Sequence, residues 1–360
     1  MLPSLTIEGF RAFRRLEVPR LGRVNLVVGS NNVGKTSLLE ALTLFTAGPQ
    51  IGDVLDGILI NRGEFSTERA GTPRDIDLLR VFNRSQGAEH HHSLQIRGGD
   101  REIFIRRAWA LPSNDGDYVL GNRAGRFHIV ADAVAPGLNA LEVLEVKLEG
   151  APPFPLLLNG AFDLPTGWEE QAEKAATKGC YVPATGLSES ESAHLWDLVV
   201  VQGEEDFLVE VMQVIAPEVG RVFFIEATDM RVPFIRRAGQ RTAEPLHSLG
   251  GGMRRLLDLA LGLVDARGGL LLVDEIENGI HYSVQSDLWS LVFEAAARLD
   301  VQVFATTHSW DCIEAFQQAA AAHPATGELI RLHRLGDDIE ATVADEADLA
   351  IITRQAIEVR

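Results

Sequence analysis

The chain has 360 residues, of which 46% are hydrophobic and 23% are charged, a composition typical of a folded protein with one large domain or two. Two cysteines are too few for a disulfide framework, and the lack of a long apolar run or apolar leader predicts a cytoplasmic protein without membrane span or signal peptide. With 33 basic and 51 acidic residues the net charge is −18, which argues against broad, unaided adhesion to nucleic acid.

The chain opens with strand patterns and a phosphate-binding loop. "LTIEGF" alternates in hydrophobicity, and "VNLVV" is a continuous apolar run just before the loop. The loop "GSNNVGKTS" fits G-x-x-x-x-G-K-[ST], and a helix is predicted over Lys35–Phe45. Lys35 would reach the outer phosphates of a nucleotide and Thr36 would ligate Mg²⁺. The predicted nucleotide-binding residues are Gly29, Ser30, Asn31, Asn32, Val33, Gly34, Lys35, Thr36 and Ser37.

A local basic strip lies in the same region, with only Glu8 and Glu17 as acidic members. Its basic members are Arg11, Arg14, Arg15, Arg20, Arg23 and Lys35. Two interpretations stay open. Part of the strip serves the nucleotide and the rest is solvated surface, or the strip contacts DNA despite the acidic whole.

The middle of the chain reads as an insertion. A Gly-, Pro- and Asp-rich stretch covers residues 48–72, and strand-like pieces with turn clusters run from His91 to about Leu158. Helices are predicted in "QAEKAATKG" and over residues 190–216, and a strand in "GRVFFIEA". The run His90–His92 and the pair Asp115 and Asp117 are interpreted as loops rather than metal sites. We therefore divide one discontinuous domain into residues 1–90, an insertion 91–240, and residues 241–360.

The last third alternates helices and apolar strands, as parallel α/β folds do. The apolar run Leu270–Val273 ends at Asp274 and Glu275, an arrangement in which Asp274 holds the Mg²⁺ shell and Glu275 orients or deprotonates the attacking water. The next strand ends at His308. A right-handed crossover would place the two strand ends side by side, so His308 would reach the γ-phosphate.

A second phosphate-binding segment precedes this unit, at the start of a predicted helix. Its residues are Ser248, Leu249, Gly250, Gly251 and Gly252. A serine and free backbone N–H groups at a helix start suit an anion. The segment is redundant if one chain forms the site, makes sense if a second copy supplies it, and is otherwise a capped helix start.

In this order the motifs resemble those of ABC ATPase heads. "IEGFRAF" and "DEIENGIHY" are similar to the SMC/RecF/OLD-like branch, and "GMRRLLDLAL" and "FATTHSWDCIEAF" to small stand-alone bacterial AAA-type ATPases related to the ATPase half of OLD-family proteins. The resemblance implies an α/β P-loop fold of ABC-ATPase type, with a mixed sheet core, a β-rich N-terminal lobe and an α+β insertion. It also implies ATP held between two heads, with Ser248–Gly252 acting across the interface.

The same resemblance assigns further residues. Arg11 matches an arginine that contacts nucleotide, Asn278 and Gly279 occupy the place of the D-loop, and Gln202 is a candidate for the Q-loop. The predicted D-loop lacks the usual Ser-Ala-Leu-Asp sequence.

The expected function is an ATP- and Mg²⁺-dependent ATPase that dimerises around ATP and regulates a separately encoded nuclease or other effector, in DNA maintenance or phage defence. The alternatives are a nucleotide-gated scaffold with little turnover, an ATPase subunit of a nuclease complex, a self-contained OLD-like nuclease and a transporter subunit. About fifty residues follow His308, fewer than a TOPRIM nuclease domain needs.

Overall fold

A computed structural model of the chain describes residues 1–64, 78–83, 92–113, 116, 126–131, 139–157, 176–227 and 230–355. The interpretations of His90, His91, Asp115 and Asp117 lie outside these residues, as does most of the predicted helix "QAEKAATKG". The described end of that segment, residues 176–178, is not helical, and Gly179 begins a strand instead.

A six-stranded central sheet forms the middle of the molecule. Its strands, in spatial order, are β16 (Asp338–Ala344), β15 (Gly327–Leu335), β3 (Val24–Val28), β14 (Gln302–Thr306), β13 (Leu270–Val273) and β9 (Gly179–Val182). All neighbours are parallel except β16, which is antiparallel to β15. The parallel strands β3, β13 and β14 are short and largely apolar because both of their faces are covered by other elements. The mixed sheet core predicted from the sequence is confirmed.

The N-terminal strands form a second, antiparallel sheet. Its members are β1 (Leu5–Phe10), β2 (Phe13–Val18), β4 (Ser93–Gly98), β5 (Arg101–Ser113), β6 (Arg126–Val130), β7 (Leu141–Leu148) and β8 (Phe154–Leu157). The β-rich character predicted after residue 91 is confirmed. These later strands are continuous with the N-terminal ones, since β4 pairs with β1, with Ile96 opposite Ile7.

A small third sheet spans the end of the predicted insertion and the first residues after it. Its strands are β10 (Val219–Ala227), β11 (Met230–Arg237) and β12 (Glu244–Pro245), all antiparallel. It leads directly into the segment that contains Ser248.

Eight helices lie within the described residues. They are α1 (Lys35–Thr46), α2 (Ile51–Asn61), α3 (Glu189–Gln202), α4 (Glu205–Gln213), α5 (Gly251–Asp265), α6 (Gln285–Arg298), α7 (Trp310–Ala322) and α8 (Glu346–Arg354). The helix predicted to begin at Lys35 is confirmed, and α2 forms in a stretch for which the sequence predicted no helix. Among the described residues, no helix is both long and apolar enough to cross a membrane.

Two hydrophobic cores flank the central sheet. Leu270 and Leu272 face the core that contains α1 and the N-terminal sheet, whereas Leu271 and Val273 face the core that contains α5, α6 and α7. The alternation follows from the two-residue period of a strand. Because β3, β14 and β13 are parallel neighbours, their carboxyl ends lie together at one edge of the sheet. Ligands bind at this edge in open parallel sheets.

Candidate nucleotide site

The loop between β3 and α1 has a backbone that only glycine tolerates at two points. Gly29 has φ +144°, and a Cβ there would lie 2.3 Å from the carbonyl oxygen of Leu332. Gly34 has φ +91°, and its Cβ would lie 2.8 Å from the Phe13 ring. The glycine spacing read in the sequence therefore follows from both backbone conformation and close packing.

Lys35 is the first residue of α1 and its side chain is folded into the loop. Its Nζ donates to Gly29 O at 2.6 Å and to Ser30 O at 3.1 Å, and lies 3.4 Å from His308 Nδ1. Burial lowers the pKa of Lys35, and the carboxylates of Asp274 and Glu275 oppose that shift. A buried ammonium beside a loop of backbone N–H groups is suited to an anionic ligand.

Asp274 is held from two directions at the end of β13. Thr36 Oγ1 donates to Asp274 Oδ2 at 3.1 Å, and Thr306 Oγ1 donates to Asp274 Oδ1 at 2.6 Å. A hydroxyl and a carboxylate at this distance form the all-oxygen donor set that Mg²⁺ prefers, with its other positions left to water and phosphate. The residues present therefore fit the metal that the sequence implies.

Glu275 and His308 lie opposite each other across neighbouring strands. Val273 pairs with Ala305, so the ends of β13 and β14 are adjacent, as the crossover predicted. His308 Nε2 is 3.9 Å from Glu275 Oε1, and both side chains are 42% exposed. Glu275 has φ +49°, and its N–H donates to Thr306 Oγ1 at 2.8 Å. The backbone of Glu275 is strained, and its carboxylate lies at the open edge, where it can reach a water beside a bound phosphate.

Two residues of this edge were missed by sequence reasoning. Thr306 bonds both Asp274 and the backbone of Glu275, as given above. Arg255 on α5 is 4% exposed and donates to the carbonyl oxygens of Pro183, Asp274 and Glu275. Burial lowers the pKa of Arg255, and nearby acids led by Asp258 oppose the shift. The sequence signal for Arg255 was weak, because the same helix also contains Arg254, Asp258 and Asp265.

The predicted signature segment lies on the surface. Ser248 belongs to a 3-10 turn over Leu246–Leu249 rather than to the helix, and α5 begins at Gly251. Ser248 Oγ donates to Pro245 O at 2.7 Å and is 3.4 Å from Glu244 Oε2. Within the described residues, no hydrogen bond joins it to the phosphate-binding loop of its own chain.

The predicted D-loop packs against this segment. A Cβ on Gly252 would lie 2.8 Å from Gly279 O, and Gly279 itself has φ +75°. Asn278 Nδ2 donates to Ala184 O at 2.9 Å. The two segments are therefore neighbours within one chain.

Arg11 belongs to an ion-pair cluster on α1, and Gln202 lies at the end of α3. Arg11 Nε is 2.9 Å from Glu40 Oε2 and its Nη2 is 3.0 Å from Glu64 Oε2, in a nearly buried ion-pair cluster that Arg62 completes. Burial raises the pKa of Glu40, and Arg11 opposes that shift. Gln202 is exposed at the last position of α3. Nucleotide contact by Arg11 stays a prediction.

The other arginines of the basic strip also pair within the chain. Arg14 pairs with Asp338, Arg15 with Glu8 and Glu17, Arg20 with Glu328, and Arg23 with Asp300. The strip is thus compensated by intramolecular carboxylates.

Two family models match the chain at the segments that form this site. Residues 1–69 match a model described as "AAA ATPase domain", and residues 193–311 match one described as "AAA domain, putative AbiEii toxin, Type IV TA system". The first match contains the phosphate-binding loop, and the second contains Ser248, Asp274, Glu275 and His308.

Curated relatives resemble shorter stretches. An uncharacterized protein of Methanocaldococcus jannaschii is 40% identical over 50 residues, 14% of this chain and 23% of that protein. The DNA replication and repair protein RecF of Caulobacter vibrioides is 26% identical over 127 residues, 32% of this chain and 33% of that protein. The RecF protein of Rickettsia akari is 24% identical over 127 residues, 34% of this chain and 35% of that protein. The chain thus spans about a third of the RecF proteins it matches.

A solved structure shares the fold over nearly the whole chain. It is an SMC head bound to the C-winged helix domain of ScpA, with a TM-score of 0.51 and 12% identity, covering 96% of this chain and 98% of that one. At this identity the match concerns the fold alone.

Proposed function

We propose a function from the premise that this chain is an ABC-type ATPase of the SMC/RecF-like branch: it binds ATP with Mg²⁺ and hydrolyses it between two copies of itself. The observation that carries the proposal is the convergence at one sheet edge of Lys35, Thr36, Asp274, Glu275 and His308, joined by the short contacts described above.

Each residue has a distinct role in this proposal. The loop N–H groups and Lys35 bind the phosphates, and Thr36 and Asp274 would hold Mg²⁺, which offsets phosphate charge when bound. Glu275 orients the attacking water and accepts its proton, while Thr306 fixes the position of Glu275. His308 donates to the γ-phosphate from the neighbouring strand.

The position of Ser248 supports the proposed dimerisation. Its turn is exposed, and its hydroxyl bonds only local groups within the described residues. In the proposed dimer, Ser248 and the N-terminus of α5 face the phosphates held by the other copy. Each of the two sites then takes its loop from one chain and Ser248–Gly252 from the other.

The dimer would act on a separately encoded effector, such as a nuclease, in the cytoplasm. The RecF relatives are named for DNA replication and repair, which favours DNA maintenance as the process. Phage defence has the sequence resemblance as its only support. DNA contact through the basic strip would require its arginines to leave the carboxylates with which they pair.

Replacing Glu275 with Gln tests hydrolysis directly. The amide keeps the shape of the site but accepts no proton, so steady-state ATPase activity should fall by about two orders of magnitude or more while ATP-analogue binding persists. Glu294→Gln, on the exposed side of α6, is the matched control and should keep wild-type activity.

Wild-type turnover by Glu275→Gln would refute the role of Glu275. A wild-type protein that binds the analogue tightly but shows no turnover above Glu275→Gln would favour the nucleotide-gated scaffold.

A further inference from the structure

The small sheet of β10, β11 and β12 has one partly exposed face, on which Phe223 also packs against the protein core. Phe224 faces inward and stacks on Trp196 of α3, with ring centroids 5.3 Å apart. The register places the alternate residues on the opposite side. We call these the outer face: Arg221, Phe223, Ile225, Ala227, Met230, Val232, Phe234, Arg236 and Pro245.

The outer face combines exposed apolar groups with two arginines. Phe223 and Phe234 stack at 6.4 Å, and Met230 and Ile225 are 56% and 38% exposed. Arg221 and Arg236 both lie over the Phe223 ring, at 6.0 and 5.4 Å from its centroid. No carboxylate within the described part of the chain pairs with either arginine, in contrast to Arg231 and Arg237 on the inner side.

A complementary feature lies beside the phosphate-binding loop. The end of the β15–β16 hairpin, residues 334–337, is exposed and extends past the sheet edge where β3 enters the loop; we call it the Leu335–Asp337 turn. Arg334 Nη2 donates to Asn32 O at 3.4 Å, which fixes the turn next to the loop. At its tip Leu335 is 61% exposed, and Asp337 is an exposed acid. The turn thus offers an apolar side chain and a carboxylate.

We propose that in the dimer the Leu335–Asp337 turn of each copy docks on the outer face of its partner. The inference rests on the proposed ATP-dependent dimer, in which the loop of one copy meets the Ser248 turn of the other. The outer face is continuous with that turn, since Ser248 Oγ bonds the carbonyl of Pro245. In this dimer the Leu335–Asp337 turn of one copy would meet the outer face of the other. Leu335 then packs on Phe223 and Phe234, and Asp337 pairs with Arg236.

Both contacts occur together in a two-fold symmetric dimer. A single substitution therefore acts twice, and its effect on the dimerisation constant is squared. Burial of the apolar face adds stability, while the charge pair adds specificity for this partner.

Charge reversal and mixing test the contact. In a non-hydrolysable ATP analogue with Mg²⁺, Asp337→Arg alone and Arg236→Glu alone should each dimerise about tenfold or more weakly than wild type, because like charges meet in both contacts. An equimolar mixture should recover dimerisation as heterodimers, since both contacts then pair opposite charges. Sedimentation of differently labelled chains measures this. Arg126→Glu, on β6 and exposed, is the control and should dimerise like wild type.

The outcomes separate this inference from the proposed function. If wild type fails to dimerise with the analogue, the dimer itself is wrong. If wild type dimerises and Ser248→Arg does not, but Asp337→Arg and Arg236→Glu both dimerise normally, only the docking contact is overturned and the outer face serves another partner. Weak dimerisation of the two variants without recovery on mixing overturns the proposed pairing.

Discussion

Arg255 links α5 to the ends of two strands, β9 and β13, at the edge of the sheet where the candidate nucleotide site lies. It gives hydrogen bonds to Pro183 at the end of β9 and to the backbone of Asp274 and Glu275 after β13. A buried guanidinium is costly unless its donors are satisfied, and here three carbonyls accept from Nη1 and Nη2 while Nε stays without an acceptor among the described residues. Because Glu275 has a positive φ, its backbone needs such support. Arg255 is therefore a positioning residue for Glu275.

Replacing Arg255 with Met should remove the donor to the Asp274 carbonyl, whereas the Pro183 and Glu275 carbonyls keep the backbone N–H groups of Gly186 and Asn278. We expect a loss of about 3 kcal/mol in the free energy of unfolding. Hydrolysis should fall more than ATP-analogue affinity, because Glu275 is displaced while the phosphate loop is not. Arg255→Lys keeps the positive charge but lacks the planar guanidinium that spans the three carbonyls. Its stability and hydrolysis rate should lie between those of wild type and Arg255→Met.

Denaturant unfolding and separate kcat and affinity measurements check this, with exposed Arg241→Met as the control. A normal unfolding midpoint for Arg255→Met would contradict the bracing role, and an equal loss of affinity and kcat would contradict the positioning role.

At the residue scale, sequence reasoning finds groups whose chemistry dictates both type and spacing. The two glycines of the loop are examples, since their φ values and close contacts exclude other residues. Lys35 and Thr36 are further examples, because phosphate and Mg²⁺ require an ammonium and a hydroxyl there. Arg255 and Thr306 escape because their roles depend on which strands become neighbours. The ion pairs of Arg11 likewise join residues distant in sequence, so no local pattern predicts them.

At the scale of elements, the sequence predicted the strands that end at candidate site residues. It predicted only some of the strands with which they pair. The β13–α6–β14 unit follows from hydrophobic runs and the crossover rule. In contrast, β9 joins the central sheet next to β13, and β4 joins β1, through pairings that only the tertiary fold selects. Helix α2 contains two glycines, which weakens its sequence pattern, and it forms because its apolar face packs in the N-terminal core.

Two neighbouring glycines at the start of α5 allow a matched test of whether this helix packs against the predicted D-loop. A Cβ on Gly252 would lie 2.8 Å from Gly279 O, whereas a Cβ on Gly251 would meet nothing within 4 Å. Gly252→Ala should therefore lower the free energy of unfolding by about 1–2 kcal/mol. Gly251→Ala should be neutral or raise it by up to about 1 kcal/mol, from helix propensity. Urea unfolding of both variants checks the difference, and equal stabilities would mean that α5 does not pack on the D-loop.

At the scale of the whole molecule, the charge distribution restricts what the surface can bind. The net charge is −18, and the arginines of the basic strip pair with carboxylates of their own chain. In contrast, Arg221 and Arg236 of the outer face pair with no carboxylate among the described residues. Composition predicted the acidic whole, but not which arginines would be compensated, because the pairing carboxylates come from distant segments. A second acidic copy is a suitable partner for such a surface.

The proposed two-chain site predicts a result that a site formed by one chain would not give. Lys35→Ala removes the buried ammonium of the loop, so that variant should lose ATP affinity and activity. Ser248→Arg puts a bulky cation on the exposed signature turn, so the monomer should still bind ATP while dimerisation and hydrolysis are lost. Each variant alone has two damaged sites in any dimer it could form.

A mixed dimer of the two variants behaves differently if the sites are composite. One site combines the damaged loop with the damaged turn, and the other combines an intact loop with an intact turn. Mixing two inactive proteins should therefore restore part of the ATPase activity, up to about half of the wild-type rate per heterodimer if the sites act independently. Mixing Lys35→Ala with Glu275→Gln is the control, because Glu275 lies in the same half-site as Lys35 and both sites of that heterodimer stay damaged. Strong ATP-dependent dimerisation of Ser248→Arg alone would contradict the model, since the turn would then lie outside the interface.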